Sequence, residues 1–133
     1  MKRSILMVEN DADDRYLTEE TFRSEAVEAE IEFIDSTVLP GYLQHITKIP
    51  HLIILSLSSQ AYDLPGLISS IRNAEGCRPV PLIVLSDVAR PGDVEKCYSL
   101  GANSFIKKPD SYTNTLFKIN TFINYWFGTI ELP

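Results

Sequence analysis

Short apolar runs alternate with amphipathic stretches along the whole chain. Ser4-Ile5-Leu6-Met7-Val8 is apolar until Glu9-Asn10-Asp11 stops it, the pattern of a strand buried on both faces and ended by turn residues. From Asp13 to about Glu25 helix formers dominate, acidic residues crowd the first turn, and Leu17, Thr21 and Phe22 share a face, which predicts a first helix. Ile31 to Ile34 is a weaker second strand. Leu39, Tyr42, Leu43 and Ile46 then fall on one helical face, with Pro40 suited to a first turn. Leu52 to Leu55 reads as the third strand, Leu64, Leu67, Ile68 and Ile71 as the third helix, and Val80 to Leu85 as the fourth strand. Val94, Cys97 and Tyr98 mark a helix closed by Gly101. Ser104-Phe105-Ile106 gives the fifth strand, and Asp110 to about Tyr125 the last helix, turning Leu116, Ile119, Phe122, Ile123 and Trp126 inward.

Repeated strand–helix alternation implies a parallel sheet covered on both faces, because parallel neighbours need crossover connections and these are right-handed. The predicted fold is doubly wound α/β. In such sheets the functional crevice lies outside the carboxyl ends of the strands, so the residues that follow them carry the chemistry. They are Glu9-Asn10, Ser56, Ser86-Asp87 and Lys107-Lys108-Pro109. Singly, each has a plain structural use: the acidic run 9–14 caps a helix, Ser86 is a loop hydroxyl, and Lys108 is solvated. Together they bring an acid, two hydroxyls and a lysine to one edge.

That set, with its flanks, resembles the receiver domain of two-component response regulators (CheY-like) over nearly the whole chain. The resemblance runs through Ile-Leu-Met-Val-Glu-Asn-Asp, Pro-His-Leu-Ile-Ile-Leu-Ser-Leu, Val-Pro-Leu-Ile-Val-Leu-Ser and Gly-Ala-Asn-Ser-Phe-Ile-Lys-Lys-Pro. The ending Tyr125 to Pro133 is similar to that of stand-alone, phytochrome-associated regulators. The resemblance implies a flavodoxin-like five-stranded sheet of order 2-1-3-4-5 with five helices. It also implies a non-enzymatic role in phosphorelay signalling, with a sensor histidine kinase or another signalling protein as partner. In the family an acidic pair and an acceptor aspartate hold Mg²⁺, and a hydroxyl and a lysine bind the phosphoryl oxygens. Carried over by motif, the acidic pair falls on Glu9 and Asn10, the acceptor on Ser56, the hydroxyl on Ser86, the lysine on Lys108 and the aromatic switch on Phe105. The Ser58 backbone carbonyl is a further metal ligand by analogy.

Two departures strike the reaction itself: Asn10 stands for a carboxylate and Ser56 for the acceptor aspartate. Mg²⁺ wants charged oxygen ligands, and only Glu9 of the expected carboxylates remains, so metal binding is expected to be weak or absent, with no other cofactor. Glu9 and Lys108 can then balance one another, with the lysine bonded to Glu9 or to the Ser56 hydroxyl. A serine hydroxyl is a weak nucleophile without a base. His45 and His51 lie in the second helix and at the start of the third strand, away from the crevice, and Asp63 and Asp87 occupy positions not aimed at a metal. The expected protein is a pseudo-receiver acting through protein contact. A receiver phosphorylated on another side chain stays open as an alternative. A flavodoxin-like binder of FMN is a further one, although the acidic run 9–14 would repel a phosphate at a helix N-terminus. A hydrolase would need a nucleophile elbow of the G-x-S-x-G type, which is missing.

Composition narrows partners and compartment. The 133 residues suit a single domain, 1–133, with 127–133 as a C-terminal tail. A net charge of -6 opposes phosphate-backbone binding, which excludes nucleic acid as a partner. Cys77 and Cys97 lack CxxC or His spacing and read as reduced thiols. No stretch is long enough for a membrane span or a secretory signal, so a cytoplasmic location is expected. The resemblance also implies a contact face made by the fourth helix, fifth strand and fifth helix, here including Val94, Tyr98, Phe105 and the last helix. Tyr125, Trp126 and Phe127 adjoin and cannot all enter one core from a helix, which points to a symmetric homodimer through the C-terminal region.

Overall fold

All six residues of the central strand β3, Leu52–Leu57, are buried, as expected of a parallel strand with neighbours on both sides and helices over both faces. The computed structural model describes residues 3–24, 28–57, 63–108, 112–128, 131 and 133. Around β3 the elements in chain order are β1 (Arg3–Val8), α1 (Ala12–Ser24), β2 (Ala29–Ile34), α2 (Leu39–Gln44), then α3 (Leu64–Asn73), β4 (Leu82–Ser86), α4 (Pro91–Leu100), β5 (Ser104–Lys107) and α5 (Tyr112–Gly128). The five strands form one parallel sheet in the order β2-β1-β3-β4-β5, the flavodoxin-like arrangement that the sequence predicts.

Alternation along each strand divides the core in two. Leu6, Val8, Ile53, Leu55, Leu57, Leu82 and Val84 face α2, α3 and α4, whereas Ile5, Met7, Leu52, Ile54, Ile83 and Leu85 face α1 and α5. Burying one such aliphatic side chain contributes roughly 1.5–3 kcal/mol, so the strand pleat fixes which polar end residues share a face. Ser56 follows Leu52 and Ile54 in this alternation, and Glu9 follows Ile5 and Met7.

Several boundaries differ from expectation. Ser56 lies inside β3 rather than after it, because the parallel ladder continues past the apolar run, pairing Ser56 with Leu85 and Leu57 with Ser86. On α1 the buried residues are Thr18, Thr21 and Phe22, with Leu17 only half-buried. The two threonine hydroxyls donate to the carbonyls of Asp14 and Leu17 one turn back, both at 2.8 Å, so their methyls enter the core without an unpaired donor. Helix α2 stops at Gln44, yet Ile46 still packs on the core beyond it. The last helix runs to Gly128, so Phe127 is helical and not part of a tail. Of its expected inward residues Ile123 and Trp126 are buried; the side chains of Leu116, Ile119 and Phe122 lie outside the described residues.

Arg72 binds the amino-terminal end of the sheet together. Its guanidinium donates to the carbonyls of Gly101, Cys77, Arg78 and Val80 and to Asn103 Oδ1, at 2.7–3.1 Å. Asn103 Oδ1 in turn accepts the Leu82 N–H at 2.8 Å. Gly101 ends α4 in the left-handed region, φ 117°, as the sequence anticipates for a helix-stop glycine. Both cysteines are free and buried, and burial pushes both thiols up in pKa.

Candidate functional site

β1 ends at Val8 because Glu9 and the polar residues after it leave the ladder, and this places Glu9 against the carboxyl end of β3. The Glu9 N–H still donates to Ile34 O on β2 at 3.1 Å, while its carbonyl accepts from Arg15 Nε on the first turns of α1. Asp11 caps that helix, its Oδ1 accepting the Asp14 N–H at 2.9 Å. The Glu9 side chain is consequently fixed at its root and only 4% of the residue is exposed.

Three groups converge on that carboxylate. Ser56, 1% exposed, donates its hydroxyl to Glu9 Oε1 at 2.8 Å. Lys108, the residue after β5, puts Nζ 3.7 Å from the same oxygen. The Asp11 N–H reaches Oε2 at 3.4 Å. Burial raises the Glu9 carboxyl above its ordinary range; the Lys108 ammonium and the Ser56 hydroxyl act against that. The Lys108 ammonium thus balances the Glu9 carboxylate, while the charge of Asp14 nearby adds to the effect of burial.

The other expected residues are placed differently. Asn10 is turned to the loop after β2: its Nδ2 donates to Ser36 Oγ and its Oδ1 accepts the Ser36 N–H, both at 2.8 Å. Its carbonyl oxygen is therefore already in use. Ser86, 3% exposed, accepts the Val88 N–H at 3.3 Å, and its carbonyl accepts the Lys108 N–H at 2.7 Å. Among the described residues its hydroxyl makes no hydrogen bond to Glu9, Ser56 or Lys108. Phe105 is half-buried against the α2–α4 core, and its N–H donates to the Tyr98 hydroxyl at 3.0 Å. Ser58 lies outside the described residues. His51 sits at the opposite end of the sheet, where its Nδ1 accepts the Ser4 N–H at 2.9 Å, and His45 caps the end of α2. Asp63 caps α3, accepting the Gly66 N–H at 3.0 Å.

Such a donor set does not match a divalent cation. Mg²⁺ needs oxygen ligands in octahedral array, whereas Glu9 is engaged by an ammonium and a hydroxyl and Asn10 by Ser36. Among the described residues no three His, Cys, Asp or Glu side chains gather to hold an ion. The sequence reading passed over Ser36, although the rule that found the rest, polar residues just after a strand, points to Asp35-Ser36-Thr37 as well.

Comparison with known proteins agrees with this architecture. No protein-family model matches the chain. It is 27% identical over 86 residues to the probable methanogenesis regulatory protein FilR2 of Methanothrix harundinacea, a match covering 65% of this chain and 56% of that protein, so the match spans little over half of that relative. It is 23% identical to the response regulator Rcp1 of Synechocystis sp. over 97% of this chain and 92% of that one. Among solved structures, the phosphorylated cyanobacterial phytochrome response regulator RcpA superposes with a TM-score of 0.89 at 23% identity, covering 100% of this chain and 99% of the other. The Mn²⁺-bound form of Rcp1 superposes with a TM-score of 0.87 at 23% identity, covering 98% and 99%. No helix among the described residues is long and apolar enough to cross a membrane. The chain has the receiver fold and is similar over nearly its whole length to a response regulator.

Proposed function

We propose that this chain is a cytoplasmic, single-domain signalling module whose receiver crevice works without metal and without phosphate at the usual position. The observation that carries this reading is the shared oxygen of Glu9. Ser56 occupies the acceptor position, and its hydroxyl is a donor to Glu9 at 2.8 Å while Lys108 stands 3.7 Å from the same atom. Among the described residues Glu9 is the group placed to act as a base toward Ser56. Its carboxylate is held by the Lys108 ammonium, whose charge works against its basicity toward the hydroxyl proton. Output would then come from docking a signalling partner, such as a sensor histidine kinase. Incubation with acetyl phosphate and Mg²⁺ followed by intact-mass measurement tests this. An unchanged mass is expected, and gain of one phosphoryl group refutes it.

The docking face we favour is that of α4, β5 and α5. Tyr98 is 47% exposed, Phe117 72% and Tyr125 51%, whereas Trp126 is buried and Phe127 packs on the α1/α5 core. Of the aromatic trio, therefore, Tyr125 is the side chain turned outward, its ring edge-on to Trp126 with centroids 5.4 Å apart. A homodimer through this face is expected to dissociate in the Phe117→Arg/Tyr125→Arg variant. An unchanged sedimentation coefficient for a dimeric parent would remove α5 from the interface. Deleting 127–133 is a poorer test, because it cuts the helix at Phe127.

A further inference from the structure

We propose that Ser36 is a positioning residue that turns the side chain at position 10 out of the crevice. The crevice's indifference to metal then depends on a two-residue lock as well as on missing carboxylates. This rests on the reading of Glu9, Ser56 and Lys108 given above. Ser36 is a polar residue only 6% exposed, and both halves of the Asn10 carboxamide close on it, Nδ2 on the hydroxyl and Oδ1 on the backbone N–H, each at 2.8 Å. The turn that presents Ser36 is itself braced. Asp35 Oδ1 accepts both the N–H and the hydroxyl of Thr37, at 2.9 and 2.7 Å, and the Asp35 carbonyl accepts the Val38 N–H at 3.0 Å.

The chemistry of the lock does not require an amide. A serine hydroxyl is both donor and acceptor, so a carboxylate at position 10 would keep the backbone N–H on one oxygen and receive the hydroxyl proton on the other. Hydrogen bonds to an ionised acceptor are shorter and stronger than neutral ones. Restoring the acid at position 10 therefore tightens the lock and keeps both oxygens turned toward Ser36. Replacing Ser36 by alanine keeps the N–H bond and frees the second oxygen. The device is local, yet it joins the loops after β1 and β2 at the carboxyl end of the sheet.

The test titrates Mn²⁺ alone against the full chain, with free ion followed by electron paramagnetic resonance. It compares the parent with N10D/S56D, N10D/S56D/S36A and N10D/S56D/S36T. Removing a partner that holds a metal ligand in place typically costs about 10–100-fold in affinity; removing one that holds a would-be ligand away should give a gain of the same order. The S36A triple variant is accordingly expected to bind at least about tenfold more tightly than N10D/S56D, with S36T returning affinity to the double-variant level. Equal affinity of the double and S36A variants overturns the lock while leaving the metal-free reading of the parent intact; micromolar Mn²⁺ binding by the parent overturns that reading instead. A second measurement needs no metal site. Exchange of the Asn10 carboxamide protons with water is expected to be slowed in the parent and to reach the rate of free asparagine in Ser36→Ala. Free-asparagine exchange in the parent overturns the lock directly.

Discussion

Replacing Lys108 by methionine removes the cation from a buried carboxylate and should destabilise the fold in a pH-dependent way. With Nζ 3.7 Å from Glu9 Oε1, the Coulomb attraction at an effective dielectric near 20 is about 4.5 kcal/mol. Part of this is offset, because the variant no longer desolvates an ammonium; removing one partner of a fully buried pair costs about 3–5 kcal/mol. Lys108 keeps 18% of its side chain exposed, and Glu9 retains the Ser56 hydroxyl, so about 2 kcal/mol at pH 7.5 is the expected loss. Glu9 has an escape by protonation. Its carboxyl is already raised above 4.5 by burial, and loss of Lys108 raises it further. A carboxyl raised in the folded state favours folding below its unfolded value and loses that contribution as pH climbs through the folded value. The penalty for Lys108→Met should therefore shrink as pH is lowered from 7.5 toward 5, where a neutral Glu9 needs no cation. Urea unfolding of parent and variant, compared at each pH, measures this, with a melting shift of roughly 3 °C per kcal/mol at this size as a check. The double variant Glu9→Gln/Lys108→Met should recover most of the loss at pH 7.5. A penalty equal at both pH values, or no penalty at 7.5, would refute the pairing.

Other outcomes follow from the same geometry. Arg72→Met should cost about 3 kcal/mol in urea unfolding, since it strips donors from the carbonyls of Gly101, Cys77 and Val80 in one step; a loss under about 1 kcal/mol would mean that water replaces the guanidinium. Gly101→Ala should destabilise by at least about 1 kcal/mol, because φ is 117° and an added Cβ would meet Arg72 Cγ at 2.9 Å. Gly41→Ala, in α2 with nothing within 4 Å, should instead stabilise by roughly 0.5 kcal/mol. Thermal melts of the two glycine variants side by side check the sign of each. Tyr98→Phe removes the acceptor of the Phe105 N–H on the edge strand and should cost about 0.5–1 kcal/mol, with faster amide exchange at Phe105 as the local readout.

The sequence by itself determined the sheet, its two covered faces and the edge on which to look, because period-2 and helical apolar spacing record burial residue by residue. The chemistry of the departures was equally legible: a serine and an amide at positions 56 and 10 are visible in one dimension, and so is the near-balance of Glu9 and Lys108. Only the tertiary structure decided which of Lys108's two expected partners it meets; it stands beside Glu9, which also takes the Ser56 hydroxyl across 47 residues of chain. Likewise it decided that Asn10 turns 26 residues along the chain to Ser36, and that Arg72, read from sequence as nothing in particular, gathers a loop and two helix ends. Strand ladders also ran past the apolar segments, so that Ser56 became part of β3. Local spacing fixes the face on which a residue lies, but the reach and direction of a polar side chain depend on partners brought near by register and loop geometry, which no short-range pattern encodes.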